Sequence, residues 1–313
     1  MDDWIDRHLE RVKAKKAESS YETHYSNLKN FNCWLENQDE RLTELRTLDL
    51  EDYFLEQMEQ GYAPNTIASR YESVRALFNR LSGRFEAIEE NPFEDLERKE
   101  FVEKDTKKHN NADLVYVTPD EKEAMCENAP APRLRNELII RLMWQTGIRK
   151  VELNEIELDD LDREERRIEV WSNKSKEWRS VFYQPSLDIL LDQWLDNGHR
   201  DSYMPAASSP YLFVTERSEQ LHDSTVTDKV VKPAAEAAGI QEVMYQDQGG
   251  CKRYRVTPHA LRHGHAVTAL KSDIDVRRVQ QHLGHSSLDI TMEYLQFIDE
   301  DVKEAYDRFG RKD

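Results

Sequence analysis

Cysteine is scarce in this sequence of 313 residues, and the three cysteines stand far apart. Cys33, Cys126 and Cys251 have no paired spacing, which argues against a disulfide framework and against a thiolate zinc site. The sequence has no run of 18 apolar residues, and its acidic start, MDDWIDRHLE, does not fit a signal peptide. These absences predict a soluble, cytoplasmic protein in a reducing compartment, with no membrane partner.

Basic residues are in the minority. The sequence has 44 Lys and Arg against 62 Asp and Glu, which gives a formal net charge of −18. Proteins that bind nucleic acid usually have a basic surplus, so the net charge alone argues against DNA binding. The alternative is an acidic surface around a local basic site, as in a protein from a salt-rich cytoplasm. At molar salt the Debye length is only about 3 Å, so distant acidic residues would hardly repel DNA.

One window of the sequence favours the alternative. Residues 248–272 contain no Asp or Glu, although about one residue in five of the whole chain is acidic. The basic residues of this window are Lys252, Arg253, Arg255, Arg262 and Lys271. We therefore expect a local basic site, with Lys252, Arg253 and Arg255 as candidate DNA contacts, in a halophilic protein.

The N-terminal part of the chain has the apolar spacing of helices. From about residue 15 to residue 82, apolar side chains recur every three to four positions. The polar faces of these helices have Arg70, Arg75 and Arg80, which do not form a single stripe and are either DNA contacts or solvated arginines. Residues 92–117 are polar and charge-rich, which is typical of an extended linker. The sequence thus predicts a helical domain over residues 1–91.

A second domain is predicted to begin at residue 118. Thr118-Pro119-Asp120-Glu121 has the form of a capping box with proline at the first helical position. A long helix is expected around residues 134–145. Two short strands, at 167–171 and 180–183, are expected on either side of the polar turn SNKSKEW, and the remainder is mainly helical. The prediction is a mixed α/β domain over residues 118–313 with a small antiparallel sheet.

The segment TPHALRH has the features of a phosphate site. Thr257 suits the N-cap of a helix and Pro258 its first position. His259 and Arg262 are then three residues apart and share one face of the first helical turn. Free backbone N–H groups and the positive end of the helix dipole lie close to them, and both favour an anion.

Two further segments present polar side chains at helix starts. In LGHSSLD, Gly284 suits a helix C-terminus and Ser286 or Ser287 the next N-cap, so His285 is expected on a tight turn. Tyr294 follows nine residues later and is predicted to lie on that next helix. In TGIRKVEL, Arg149 follows a glycine turn and begins a new helix.

These segments, in this order, resemble the signature blocks of the tyrosine recombinase, or phage integrase, family: TGIRKVEL, HALRH and LGHSSLDITMEYL. The stretch from SYETHYSNLKNF through NTIASRYESVRALF also resembles the helical core-binding domain of that family. The resemblance spans roughly residues 15–298. Because no arm-binding domain precedes it, the layout is similar to that of compact Xer-like and archaeal members.

The resemblance implies a fold and a set of roles. The expected fold is mainly α, with a SAM-like core DNA-binding domain over 1–91 and a catalytic domain over 118–313. Arg149 and Arg262 match the two arginines that grip the scissile phosphate, since guanidinium donates bidentately to phosphate oxygens. His259 and His285 match the histidines that assist phosphate and proton traffic, and Tyr294 matches the nucleophile. Glu152 matches an acidic residue that steadies the first arginine.

The family also uses a lysine in a β-hairpin turn as general acid for the departing 5′-oxygen. Aligning Arg179-Ser180-Val181 with the usual Arg-x-Val after that turn selects Lys174, with Lys176 second. The turn here lacks the glycines that are usual in the family. No cofactor is expected, because a phosphotyrosine bond conserves the energy of the phosphodiester. The sequence has no GxxxxGK[ST] phosphate loop and no recognisable acidic metal cluster.

Several alternatives remain open from the sequence. His259-x-x-x-His263 has metal-ligand spacing, although His259 has a better use beside Arg262; His263 is expected to be structural, and His265 has no assigned role. The predicted function is site-specific recombination of double-stranded DNA through a 3′-phosphotyrosine intermediate, with four copies on two DNA sites. The alternatives are DNA relaxation of the type IB topoisomerase kind and a DNA-binding accessory protein without catalysis. Residues 299–313 are a plausible helix for docking into a neighbouring copy.

Overall fold

The computed structural model describes residues 1–16, 18–38, 40–102, 114–173, 175–246, 251–285 and 287–297. The chain divides into two compact units, Met1–His109 and Asn110–Asp313. Both units are largely helical, and the second contains a small antiparallel sheet, so the predicted fold class is confirmed. None of the described helices is long and apolar enough to cross a membrane.

The N-terminal unit is entirely helical within its described part. Its helices are α1 (Asp3–Lys15), α2 (Glu18–Gln38), α3 (Thr47–Glu59), α4 (Pro64–Ser82) and α5 (Arg98–Phe101). The sequence predicts the first helix from about residue 15, so α1 is not among the predicted helices. The carboxylate of Asp2 caps α1 by accepting the backbone N–H of Trp4, and Ile5, Leu9 and Val12 form its buried face. This apolar face is short and lies among acidic residues, so its helical spacing does not stand out in the sequence.

The core of this unit extends into the segment that was predicted to be a linker. Phe93 and Phe101 are buried and lie 6.2 and 5.2 Å from the ring of Phe54, centroid to centroid. Tyr71 donates its hydroxyl hydrogen bond to the backbone carbonyl of Leu96 at 2.5 Å. Residues 92–102 therefore pack onto the N-terminal core, because three apolar residues among the polar ones reach it.

The three arginines on α4 differ in their surroundings. Arg70 is buried, with its guanidinium 3.9 Å from the centre of the Tyr62 ring and in contact with the Gln57 side chain. Arg70 is a packing residue, so it is neither the DNA contact nor the solvated arginine that the sequence left as alternatives, because α4 is covered on more than one side. Arg75 is exposed and pairs with Glu72 at 2.7 Å, and Arg80 is half-buried.

The second unit packs several helices against a small sheet. The helices are α6 (Pro119–Glu127), α7 (Arg133–Thr146), α8 (Lys150–Glu155), α9 (Asp188–Leu195), α10 (Lys232–Ala237), α11 (Pro258–Lys271), α12 (Val276–Leu283) and α13 (Leu288–Met292). A π-helical stretch, Thr225–Val231, runs directly into α10. The predicted capping box is present: Thr118 accepts the N–H of Glu121, and the Glu121 carboxylate accepts the N–H of Thr118. The central helix α7 contributes Leu138, Ile139 and Leu142 to the core.

The sheet is an antiparallel meander. Its strands are β1 (Leu161–Asp162), β2 (Arg167–Ser172) and β3 (Glu177–Phe182), in the order β1-β2-β3. The second strand of the hairpin begins three residues earlier than predicted, because Trp178 pairs across the ladder with Trp171, their rings 5.5 Å apart. A separate ribbon pairs β4 (Val243–Gln246) with β5 (Lys252–Tyr254).

Candidate active site

The first element of the site is the turn between α7 and α8. Gly147 caps α7 with φ at +61°, a left-handed conformation that glycine adopts without strain. Two residues later Arg149 is the N-cap of α8, and its backbone N–H donates to the Glu152 carboxylate at 2.7 Å. This turn and cap fix where the Arg149 side chain leaves the backbone.

A buried carboxylate connects two arginines of the site. Glu152 accepts from Arg149 Nη1 at 2.8 Å and from both Nη atoms of Arg179, at 2.9 and 2.8 Å. Its side chain is only 4% exposed. Burial by itself raises the pKa of Glu152, but the hydrogen bonds and charges of Arg179 and Arg149 lower it below the ordinary value. The ionised carboxylate therefore holds both guanidinium groups in place.

Arg262 lies at the centre of the site and is 1% exposed. Thr257 caps α11 by accepting the N–H of Ala260, and Pro258 occupies the first helical position, as predicted. The Arg262 guanidinium donates to the backbone carbonyls of Gly147 at 2.5 Å and Leu283 at 2.7 Å. Burial and the charge of Arg149 lower its pKa to about 9, so the group keeps its charge at neutral pH.

Two histidines lie one helical turn apart at the start of α11. His259 is open to solvent on one side, and its ring meets the ring of His263 edge-on at 4.3 Å. The protein around it and the charges of Arg262 and Arg149 lower the pKa of His259. Burial, with the neighbouring histidines and Arg262, lowers the pKa of His263 to about 3. Both rings are therefore neutral in the free protein.

His285 lies on the tight turn that follows α12. Gly284 caps that helix with φ at +67°, as predicted for this glycine, and Ser287 is the N-cap of α13. The Nδ1 atom of His285 lies 2.9 Å from the Thr291 hydroxyl, and its ring stacks 6.2 Å from the ring of Tyr294. Burial and the charge of Arg262 lower the pKa of His285 to about 3.

Tyr294 lies just beyond the helix on which it was predicted. α13 ends at Met292, and Tyr294 occupies the turn before a short 3₁₀ helix, Leu295–Phe297. The α-helix ends there because the backbone changes to 3₁₀-type hydrogen bonding: the N–H of Tyr294 donates to the carbonyl of Thr291, three residues back. The side chain is 1% exposed, and its hydroxyl lies 2.7 Å from His263 Nδ1. Burial raises the pKa of Tyr294 to about 12, against the opposing charge of Arg262.

These residues line one cavity of about 380 Å³. Five of the six predicted catalytic residues are part of its wall: Arg149, His259, Arg262, His285 and Tyr294. Ser172 and Ser175, from the β2–β3 hairpin, also line it. The sixth residue, Lys174, falls outside the described residues. Lys176 is exposed on the turn of that hairpin with φ at +59°, the left-handed conformation for which glycine is better suited.

The remaining basic candidates lie on or next to the β4–β5 ribbon. Lys252 and Arg253 are exposed on β5. Arg255 is half-buried and pairs with Glu121 at 2.8 Å, and it donates a hydrogen bond to the carbonyl of Ile240. Arg255 is therefore tied into the fold of its own unit, unlike the free surface contact that the acid-free window predicted.

Two residues of the site are not among the predicted ones. His263, expected to be structural, contacts the hydroxyl of Tyr294, and Arg179, used only for alignment, shares Glu152 with Arg149. The signal in the sequence was the position of Arg179 just after the hairpin turn. Arg179 belongs to the site because the buried Glu152 carboxylate binds it together with Arg149. Among the described residues, no group of three or more His, Cys, Asp or Glu side chains could hold a metal ion.

The site can be compared with known proteins. A sequence model of the phage integrase family matches residues 116–300. The tyrosine recombinase XerA of Pyrococcus furiosus is 31% identical over 195 residues, which cover 61% of this chain and 60% of that protein. The tyrosine recombinase XerC of Mycobacterium leprae is 26% identical over 308 residues, 98% of this chain and 97% of that protein.

Solved structures share the fold. The XerH site-specific recombinase in its post-cleavage complex with a palindromic difH substrate superposes with a TM-score of 0.74 at 18% identity. That superposition covers 97% of this chain and 94% of the other. A lambda integrase dimer bound to a core site gives a TM-score of 0.66 at 16% identity, with 93% of each chain covered. Since the family model matches more than half of its length, the chain belongs to the phage integrase family.

Proposed function

We propose that this protein is a site-specific recombinase that cuts and rejoins double-stranded DNA through a 3′-phosphotyrosine bond to Tyr294. The observation that carries the proposal is the convergence of Arg149, His259, Arg262 and His285 with Tyr294 on one cavity. Two fixed cations can bind the charged phosphodiester, neutral imidazoles can exchange protons and hydrogen bonds with it, and the phenol can attack it. The names of the relatives, tyrosine recombinases and an integrase, support the same activity.

The two arginines bind the scissile phosphate. Arg149 is tied to Glu152, and Arg262 is held by two backbone carbonyls, so both guanidinium groups are in position before DNA arrives. Such preorganised charge stabilises the pentavalent transition state without the reorganisation that water would need. Arg149 is the more open of the two, with a side chain 29% exposed, whereas Arg262 forms the floor of the site.

Tyr294 is the nucleophile and is protonated in the free protein, because its pKa is raised to about 12. In the cleavage step Tyr294 Oη bonds to phosphorus and the bond from phosphorus to the 5′-oxygen breaks, which leaves the 3′ end of the DNA on the tyrosine. The phenolic proton needs an acceptor, and His263 Nδ1 lies 2.7 Å away. A bound phosphate brings a negative charge close to the imidazoles, which raises their pKa and makes them better acceptors.

A lysine of the β2–β3 turn gives a proton to the departing 5′-oxygen. The alignment of Arg179-Ser180-Val181 selects Lys174 for this role, with Lys176 second. Ser172, at the end of β2, and Ser175 line the cavity, which supports a general acid from this hairpin. Rejoining reverses the steps with the 5′-hydroxyl of another strand, and the phosphotyrosine bond conserves the energy of the phosphodiester, so no ATP is needed. His259 and His285 donate hydrogen bonds to the phosphate oxygens.

The enzyme acts on DNA in the cytoplasm. The N-terminal unit contacts the DNA site, with Arg75 and Arg80 as candidates, and Lys252 and Arg253 are candidates in the second unit. Four copies on two DNA sites exchange strands in pairs. Residues 299–313, outside the described part of the chain, dock into a neighbouring copy.

A plasmid assay separates recombination from the alternatives. Sites are first selected from random DNA with Tyr294→Phe protein, and supercoiled plasmids carrying one or two selected sites are then incubated with wild type. The proposal predicts products of defined length only from the two-site plasmid. Relaxation of both plasmids without recombinant products would support the topoisomerase-like reaction. Binding without either change would support the accessory protein.

A further inference from the structure

The C-terminal ends of α7 and α12 meet in the second unit, where Leu283 lies against Gly147. Each helix ends in a left-handed glycine, Gly147 and Gly284. A Cβ on Gly147 would lie 2.5 Å from Leu283 Cδ2 and 2.8 Å from His265 Cδ2, and a Cβ on Gly284 would lie 3.1 Å from Arg179 Cδ. Gly147 has no room for a Cβ unless Leu283 and His265 shift, and both glycines have a left-handed φ that other residues rarely adopt.

The end of α7 has carbonyl groups that the helix itself does not satisfy. The last carbonyls of any α-helix have no intrahelical partner, and that end has a partial negative charge. Here the partners come from distant parts of the chain. The contacts are His265 Nδ1 to Trp144 O at 3.1 Å, His282 Nε2 to Thr146 O at 2.9 Å and Arg262 Nη1 to Gly147 O at 2.5 Å.

The end of α12 is satisfied by arginines. The contacts are Arg179 Nε to His282 O at 2.9 Å, Arg262 Nη2 to Leu283 O at 2.7 Å and Arg149 Nη2 to Gly284 O at 3.4 Å. Arg262 thus bridges the two helix ends, and their combined negative dipoles stabilise its buried charge. Any shift of the Gly147 turn moves Arg149, which follows it by two residues, and the carbonyl that holds Arg262.

The two histidines at the end of α7 form a stacked pair. The rings of His265 and His282 lie 5.0 Å apart at 18°. Because a carbonyl oxygen only accepts, His265 must have its proton on Nδ1 and His282 on Nε2. The pair therefore needs opposite tautomers, and burial keeps both rings neutral by lowering their pKa.

We infer that His265 and His282 are positioning residues for Arg149 and Arg262, acting as opposite-tautomer donors that fix the Gly147 turn. An apolar side chain could fill the same space, but it would leave a buried carbonyl of the turn without a donor. Neither histidine lines the proposed active-site cavity, so neither touches the reacting atoms. The inference rests on the proposed function only for the ligand of the two arginines. The tautomers of the histidines and the position of the turn do not depend on it.

Crossed substitutions separate hydrogen bonding from packing. The amide nitrogen of Asn can replace Nδ1 of histidine, and that of Gln can replace Nε2. We expect His265→Asn and His282→Gln to form the covalent DNA adduct within about threefold of the wild-type rate. His265→Gln and His282→Asn should be about 100-fold slower, since a displacement of about 1 Å costs this much, with an unchanged Kd for DNA. Equal losses in all four variants, or no loss in any, would overturn the inference.

The tautomers can be measured on the free, folded wild-type chain. Full-length protein labelled with ¹⁵N at histidine gives long-range ¹H–¹⁵N spectra that show which ring nitrogen has the proton. We expect the Nδ1–H form at His265 and the Nε2–H form at His282. His199, which is exposed, is the reference for a ring that exchanges between the two tautomers. The opposite form at either residue would refute the inference. Because this measurement contains no DNA, its result stands even if the protein fails to cleave any site.

Discussion

The Nδ1 atom of His263 lies 2.7 Å from the hydroxyl of Tyr294, although both side chains are largely shielded from water. At neutral pH the imidazole is neutral and the phenol is protonated, because their pKa values are about 3 and about 12. Proton transfer between them is strongly unfavourable in the free protein. On the proposed mechanism, the contact is the resting state of the nucleophile, and a bound phosphate makes Tyr294 reactive by changing the electrostatics of the cavity.

Substituting His263 with Phe should slow cleavage without weakening DNA binding. The ring is retained but the proton acceptor is lost, and general-base assistance contributes roughly 10²-fold or more to such reactions. We expect at least about a 100-fold slower formation of the covalent adduct, measured in single-turnover experiments at saturating DNA. His199→Phe, at an exposed position of the same unit, is the matched control. An adduct rate equal to that of wild type would remove His263 from the mechanism.

Glu152→Gln should destabilise the second unit. The substitution leaves the guanidinium groups of Arg149 and Arg179 facing a neutral amide in a buried site. Removing one partner of a buried ion pair costs about 3 kcal/mol or more, which urea unfolding measures as a lower free energy of unfolding. Asp188→Asn is the control, because Asp188 binds Arg166 in a similar geometry near the surface. A loss no larger than that of the control would mean that Glu152 does not hold the arginines.

Stability should fall when the pH drops below about 6.5. The pKa of His8, His263, His265 and His285 is lowered from 6.5 to about 3 in the folded chain. Between these values the unfolded chain binds more protons than the folded one, so each histidine favours unfolding as the pH falls. Above pH 6.5 these histidines are neutral in both states, and the free energy of unfolding has its full value. Between pH 6.5 and about 3, each of them lowers the free energy of unfolding by up to about 1.4 kcal/mol per pH unit.

Between pH 6.5 and 4.5, the histidines change the free energy of unfolding but Glu152 does not. The pKa of Glu152 is lowered from 4.5, so its contribution is present above pH 4.5 and is lost only as the pH falls below it. Urea unfolding at several pH values in this range gives the proton uptake on unfolding. His265→Asn should reduce that uptake by about one proton. A free energy of unfolding that stays flat down to pH 4.5 would contradict neutral, buried histidines.

Salt should stabilise the fold while it weakens DNA binding. A net charge of −18 creates self-repulsion that KCl screens. Between 0.1 and 2 M KCl we expect Tm to rise by at least about 5 °C, which corresponds to roughly 2 kcal/mol in a chain of this size. Affinity for DNA falls over the same range, because counterion release drives it. Full stability in dilute buffer would argue against adaptation to a salt-rich cytoplasm.

Local signals were sufficient to predict much of the site. Thr257-Pro258 and Gly284 have the residue types that helix starts and ends require, and the structure has them in those positions. The long helix α7 and the β2–β3 hairpin were also located from spacing and turn composition. Such features depend on neighbours within a few residues, which the sequence shows directly.

Features that depend on distant contacts were not predictable. Arg70 resembled a surface residue, and only packing against Tyr62 and Gln57 buries it. Phe101 lies in a charge-rich segment, and its burial depends on aromatic residues almost fifty positions away. The partners of His265 and His282 are more than 100 residues from them. A single sequence contains no record of such pairs.

The most direct test of the account is covalent trapping. Wild-type and Tyr294→Phe proteins are incubated with nicked duplexes of the selected DNA site, and the products are separated in SDS. The account predicts an SDS-resistant protein–DNA band with wild type, and no band with Tyr294→Phe, which should bind the same DNA with unchanged affinity. A band that persists in Tyr294→Phe, or its absence from folded wild type bound to its selected site, would contradict a phosphotyrosine mechanism at this residue.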